Sequence, residues 1–306
     1  MNVLLTGITG YIGSCLAPRL QRDGHEVRGL SRHPRDDGNQ IPMVAGDAVS
    51  GAGLQQALED IDVAYFLIHS METAAHADGE FGERERAAAE NFAAAAVAAG
   101  VRRIVYLGGL VPEGGPTSPH LKSRLAVEET LLSALPDSVA FRASIVIGAR
   151  SRAFRFLVRL VERLPVLAVP AWHANRTQPI DERDMVEMLA RAATGDQVGG
   201  LSLDVGGPDI VSYGELIDTI RDHMLVDRPT FNFKRLTATP IASRLASVIA
   251  GEDPELIGPL MESLGSDLLL RDGRAARLLD VRMHSLDAAI DRALRDWEAV
   301  ERLSAR

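Results

Sequence analysis

Met1-Asn2-Val3-Leu4-Leu5-Thr6-Gly7-Ile8-Thr9-Gly10-Tyr11-Ile12-Gly13-Ser14-Cys15 reads as a short apolar strand, a glycine turn and the opening of a helix. Gly7 allows the tight turn out of the strand. Gly10 lets a bound group approach the backbone with no Cβ in the way, and Gly13 lets the helix pack closely on the strand. The free N–H groups and the positive end of the helix dipole then face an anion, which suits the pyrophosphate of a dinucleotide. The glycine spacing carries weight because an apolar strand precedes it and an amphipathic helix, marked by Ile12, Leu16 and Leu20, follows it. Thr6, Gly7, Thr9, Gly10, Tyr11, Ile12 and Gly13 are the first expected cofactor contacts.

Working outward, strand and helix signals alternate. Strands are predicted over Val3–Thr6, Val27–Leu30, Met43–Ala45, Val63–Ile68, Arg103–Leu107 and Val139–Ala143. Helices are predicted over Tyr11–Arg22, Leu54–Leu58, the alanine-rich Glu80–Ala99 and His120–Leu135. Gly24 and Gly100 stop two of them. Six strands separated by helices give an α/β, Rossmann-like, doubly wound parallel sheet. After about residue 150 the pattern loosens. Pro165, Pro170 and Pro179 mark irregular chain, Asp181 caps a helix to Ala193, Leu201–Val205 is a strand, and Ser212-Tyr213-Gly214-Glu215 is a capping box. Residues 1–150 are expected to form the nucleotide-binding domain, and 151–306 a smaller C-terminal α/β lobe packed on it as one compact unit.

Composition narrows the class. In 306 residues, 46% hydrophobic and 25% charged, there is room for a substantial core. A net charge of −9 without a basic stripe argues against nucleic acid. No apolar run approaches a membrane span. The chain enters its first strand at once, without a signal-like leader, and its single cysteine, Cys15, cannot pair internally. A cytoplasmic protein is expected, with no clustered ligands for a metal.

Further motifs sharpen the picture. Phe66-Leu67-Ile68-His69-Ser70-Met71 follows the fourth strand, Glu90-Asn91-Phe92 lies in the alanine-rich helix, and Tyr106-Leu107-Gly108-Gly109-Leu110 ends the fifth strand. Ser118-Pro119-His120-Leu121-Lys122-Ser123-Arg124 opens the next helix, and Phe141 to Gly148 ends the sixth strand. Thr177-Gln178-Pro179-Ile180 and Gly206-Gly207-Pro208 follow in the second half. Together these resemble the extended and atypical short-chain dehydrogenase/reductases. Within them they look like the YbjT-like, NmrA-like NAD(P)-binding branch, which is close to the nucleotide-binding accessory subunit of respiratory complex I. The resemblance covers most of the chain and implies fold and cofactor more firmly than substrate.

Between NADH and NADPH, the end of the second strand decides. An acidic side chain there would hold the ribose hydroxyls and repel a 2′-phosphate. Leu30-Ser31-Arg32-His33 stands there instead, with Asp36 and Asp37 later. Ser31 can donate to a phosphate and Arg32 can pair with it, so NADP(H) is favoured over NAD(H). The resemblance places Asp47 at the adenine amino group with Ala48 beside it, and Leu67, Ile68 and His69 along the adenosine–ribose side. Arg142, Ala143 and Ser144, where the sixth strand ends, complete the expected cofactor set.

Catalysis is less regular. The relatives implied by the resemblance use a tyrosine four residues before a lysine, with a serine or threonine after the fifth strand. Here His120, Arg124 and Glu128 follow at four-residue steps, so His120 replaces the tyrosine and Arg124 the lysine. A second register pairs Ser118 with Lys122. Gly108 and Gly109 stand where the serine would be. His120 is a candidate acid, because imidazole titrates near neutrality, and Arg124 a candidate ribose anchor. His69 is a second candidate acid, and Asn91 reads as structural. Arg142, Ser144, Trp172, His173, Arg176 and Gln178 fall on segments expected to border the cleft, and Arg150, Arg152, Arg155 and Arg159 form a basic stretch. The sequence thus supports an NADPH-dependent oxidoreductase acting on a small carbonyl or quinone-like acceptor. A non-catalytic NADP(H)-binding sensor or assembly protein stays open, and a sugar-nucleotide epimerase or dehydratase is the outlying third reading.

Overall fold

A computed structural model describes residues 1–34, 41–68, 78–116, 118–164, 167–169, 171–227, 230–232, 264–301 and 303. Its centre is a sheet of seven parallel strands. These are β1 (Asn2–Thr6), β2 (Glu26–Ser31), β3 (Met43–Ala45), β4 (Val63–Phe66), β5 (Arg103–Gly109), β6 (Val139–Ala143) and β7 (Ser202–Val205). Their spatial order is β7-β6-β5-β4-β1-β2-β3. Order reverses between β1 and β4, so the crevice beyond their carboxyl ends is the switch point where open α/β sheets bind ligands.

Alternation along each strand builds a core on both faces. Val3, Leu5, Val63, Tyr65, Val105, Leu107, Val139 and Phe141 pack under α1 (Tyr11–Arg22) and α6 (Glu182–Arg191). Leu4, Ala64, Phe66, Ile104, Tyr106 and Ala140 pack under α2 (Leu54–Leu58), α3 (Asp78–Ala98) and α4 (Pro119–Ala134). A third cluster joins α5 (Arg152–Arg163), α7 (Tyr213–His223) and α9 (Leu286–Glu298) around Phe154, Leu157, Tyr213, Ile217, Ile290 and Trp297. The short α8 (Arg274–Leu278) covers β7. Among the described residues no helix is long and apolar enough to cross a membrane.

The strand of the second half departs from the six-strand sheet that the sequence suggests. As β7 it pairs with β6, Asp204 opposite Arg142, and becomes the seventh strand of the main sheet. Leu203 and Val205 are almost wholly buried there. The capping box at Ser212 forms with both of its hydrogen bonds.

Arg103 welds the amino edge of the sheet to α6. It is fully buried and donates to the Asp137 carbonyl and carboxylate, to Ala192 O at 2.6 Å and to Gly195 O at 2.8 Å. Removing it strands the buried Ala192 carbonyl, while the Asp137 carboxylate keeps Arg102 at 2.6 Å. Arg103→Met is expected to lower unfolding stability by about 3 kcal/mol, seen as a lower urea midpoint. An unchanged midpoint would show that this carbonyl finds another partner.

Candidate functional site

The site is built at the carboxyl ends of β1, β2, β3 and β4. β1 drives straight into the turn at Gly7, whose φ of +66° lies in the left-handed region. A Cβ on Gly7 would sit 2.7 Å from Leu67 O, so the loop after β4 packs directly on the turn. Gly13 is tighter: its Cβ would lie 2.2 Å from Gly7 O. Gly10 is the N-cap of α1 with extended backbone and no side-chain cap, and the first turn holds no acidic residue. The first N–H groups of α1 are left to an outside acceptor. Thr9 is exposed at the tip, and Ile12 is half-buried against the core.

Two residues of the turn play other parts than expected. Thr6 is wholly buried; its hydroxyl donates to Tyr65 O at 2.9 Å and accepts from Leu67 N at 3.0 Å. Its side chain staples β1 to β4 and is not offered to a cofactor. The Tyr11 hydroxyl turns away from the turn into the seam with α6. It and Glu182 Oε2 both lie over Gly148, where a Cβ would approach them to 2.1 and 2.4 Å. Burial, then the Glu182 charge, raises this phenol far above its usual range. Only the Tyr11 backbone remains for a ligand.

Along the adjoining edge, Ser31 ends β2 and accepts from His33 N at 3.2 Å, while Arg32 is exposed and unpaired among the described residues. Asp47 closes a turn onto Val49 N at 2.9 Å. Ala48 is buried, and Asn91 donates to Ala48 O and Val49 O, clamping this turn to α3. Leu67 and Ile68 follow β4. His69, Asp36 and Asp37 lie outside the described residues.

At the α4 side, Ser118 is the N-cap and accepts from Leu121 N at 3.2 Å, with Pro119 in the first turn. Lys122 is exposed. The second register therefore fails: Ser118 is spent on the cap and Lys122 faces solvent. His120 is half-buried, and burial followed by the Arg124 charge pushes it down to about 4. Arg124 is 7% exposed, and its Nε lies 3.8 Å from Glu85. Glu85 also accepts from Ser123 at 2.7 Å, and the Arg124 carbonyl accepts from Tyr106 at 3.3 Å. The expected ribose anchor is thus turned onto Glu85 between α3 and α4. Gly108 cannot carry a side chain, because a Cβ would meet the Tyr106 ring at 2.9 Å, whereas Gly109 opens onto empty space.

Residues 3–133 match the model of the NAD dependent epimerase/dehydratase family. The similarity covers the segment that builds the glycine turn and the first five strands. The match is to the family as a whole and does not single out the YbjT-like branch. The alpha subcomplex subunit 9 of mitochondrial NADH dehydrogenase [ubiquinone] 1 from Arabidopsis thaliana is 25% identical over 71% of this chain and 56% of its own length. The chain spans little more than half of that relative. The (4-alkanoyl-5-oxo-2,5-dihydrofuran-3-yl)methyl phosphate reductase of Streptomyces griseus is 27% identical over 97% of this chain and 96% of its own. UDP-glucuronic acid 4-epimerase from Bacillus cereus, solved with UDP-glucuronic acid and NAD, shares the fold. It superposes with a TM-score of 0.74 at 17% identity, covering 98% of this chain and 100% of the epimerase.

Several residues expected at the cleft serve the scaffold. Arg142 donates to Glu128 at 2.6, 2.8 and 3.1 Å and lies 4.0 Å from Asp204, so its side chain is locked between α4, β6 and β7. The Ala143 carbonyl accepts from Leu110 N at 3.1 Å, and Ser144 bonds Thr177 at 2.9 Å. Arg176 pairs with Asp267 at 2.7 Å. Gln178 is spent on Gly207 O and Leu270 N. Trp172 is buried edge-on against Tyr213, and His173 is half-buried beside Gly214. The basic stretch is largely a clamp: Arg155 and Arg159 stack on Trp297 at 4.4 and 5.0 Å, and both pair with Glu301. Arg152 is exposed. Glu85 and Glu182 were not signalled by the sequence, because acidic residues at helical spacing read as solvated.

His120 sets a pH test. Its folded value lies below its ordinary one, so the unfolded chain takes up the proton first as pH falls. The stability is complete above about pH 6.5 and drains as pH falls toward 4. His120→Phe is expected to flatten the melting temperature across that window. Equal slopes in both proteins would show that the ring titrates as if exposed.

Proposed function

We propose that the protein is an NADPH-dependent oxidoreductase acting on a carbonyl or quinone-like acceptor. The observation that carries this is the uncapped start of α1, held at the β1/β4 switch point by Gly7 and Gly13. A dinucleotide fits these residues: its pyrophosphate would meet the free N–H groups behind Gly10, and no Cβ intrudes. When bound, the reduced cofactor supplies the hydride to the acceptor. Arg32, exposed just past β2 and unpaired among the described residues, would hold a 2′-phosphate with help from Ser31. Asp47, Ala48, Leu67 and Ile68 would line the adenosine side.

Proton supply shapes the choice of acceptor. His120, pushed down to about 4, is neutral at physiological pH and is a weak acid there. Its N–H can orient an oxygen but delivers no ready proton. An acceptor that draws its proton from water, such as a quinone, suits this arrangement better than a simple ketone. Arg124 is better cast as a brace for α4 than as a ribose ligand. The name of the Streptomyces relative supports a reductase.

A second reading is favoured by the same departures. Gly108 and Gly109 offer no hydroxyl, and Arg124 faces Glu85. A chain that holds NADP(H) without turnover, as a sensor or assembly protein, would need neither, and the complex I relative keeps that reading in view.

Calorimetric titration with NADPH and NADH tests the cofactor. NADPH is expected to bind at least about tenfold more tightly, a difference of roughly 1.4 kcal/mol. Arg32→Ala is expected to erase the preference while sparing NADH. Equal binding of both would overturn the NADPH assignment, and binding of neither would overturn the site.

A further inference from the structure

Arg150 lies two residues past Gly148 and just before α5. Its guanidinium reaches across to α1 and donates to Ser14 Oγ at 2.8 Å, while Ser14 donates to Tyr11 O at 2.9 Å. The side chain is exposed and, among the described residues, forms no ion pair. Its neighbours on α5 differ: Arg155 and Arg159 pair with Glu301, and Arg163 with Glu162. Glu182, the carboxylate nearby, is turned to the Tyr11 hydroxyl over Gly148.

A cation beside a helix N-terminus faces the positive end of the dipole, which disfavours it. Here that end is also uncapped and has no acidic side chain in its first turn. Two sources of positive potential, one from each half of the chain, therefore meet near Glu182, whose carboxylate lies over Gly148 beside the Tyr11 hydroxyl and offsets part of that potential. An anion seated at the start of α1 would relieve both.

We propose that Arg150 is an anion clamp of the smaller lobe, closing on the pyrophosphate of the bound dinucleotide from the side opposite the glycine turn. The inference rests on the dinucleotide reading of this site. Rotamer changes along its stem free the guanidinium from Ser14, and a bond to an ionised phosphate oxygen replaces one to a neutral hydroxyl. The clamp grips the part that NADPH and NADH share, so it adds affinity without selecting between them. It also ties the 148–151 loop to the cofactor, which links occupancy to the seam between the glycine turn and α6.

The test is Arg150→Ala, titrated with NADPH, ADP-ribose and adenosine 2′-monophosphate, beside thermal melting without ligand. NADPH and ADP-ribose, which carry the pyrophosphate, are expected to weaken by about tenfold. Adenosine 2′-monophosphate, which lacks it, is expected to bind unchanged, with an unchanged melting temperature. Wild-type affinity for NADPH in the variant would overturn the clamp and leave the dinucleotide site standing. Equal losses for all three ligands with a lower melting temperature would make Arg150 structural and overturn it too. Binding of none by the wild type would remove both.

Discussion

The contact on which the rest depends is the one between Gly13 and the carbonyl of Gly7. A single methyl group there would come within 2.2 Å of that oxygen. Because no side chain intervenes, α1 starts directly above the end of β1, and its N–H groups converge on one point of the carboxyl edge. Leu67 packs on the other side of Gly7, so the β4 loop is fixed by the same close approach. Thr6 then locks the arrangement by bonding the β4 backbone on both sides of Phe66. This edge is tightly packed because its closest contacts are backbone on backbone.

A second system holds α4. Glu128 takes the Arg142 guanidinium and the Ser202 hydroxyl, and Asp204 takes Arg271 at 3.0 Å. Charges on α4, β6 and β7 thereby form a buried row, which the exposed Arg271 closes at the surface. Each member has its partner, which is what lets such charges stay below the surface. This row sets the pose of the helix that carries His120, two turns away from Glu128. Arg124, between them, is occupied with Glu85. The four-residue repeat that looks catalytic in the sequence is thus mostly a bracing stripe, with His120 at its open end.

Much of the sheet was legible. Met43–Ala45, Val139–Ala143, Leu54–Leu58 and Tyr11–Arg22 fall where periodicity and glycine punctuation put them. The place of the last strand was not legible, because an apolar strand states that it is buried but not which edge it joins. The glycine turn could be read because its requirement is steric and local. Arg142, Arg176 and Gln178 misled for the opposite reason. A polar side chain near a strand end looks the same whether it faces a ligand or a carboxylate brought in by distant chain, as Glu128, Asp267 and the 270 backbone are. The sequence also could not show that Tyr11 leaves the turn for Glu182, since that pairing joins residues far apart in the chain.

The central claim is that this edge serves chemistry and not storage alone. A single-turnover experiment addresses it most directly: protein loaded with NADPH is mixed with a quinone, and loss of reduced nicotinamide absorbance is followed against a protein-free control. The account predicts oxidation well above the control, sustained over repeated turnovers when NADPH is in excess. Cofactor that binds yet stays reduced across a panel of quinones and aldehydes would contradict it and leave a protein that holds the dinucleotide without reacting it.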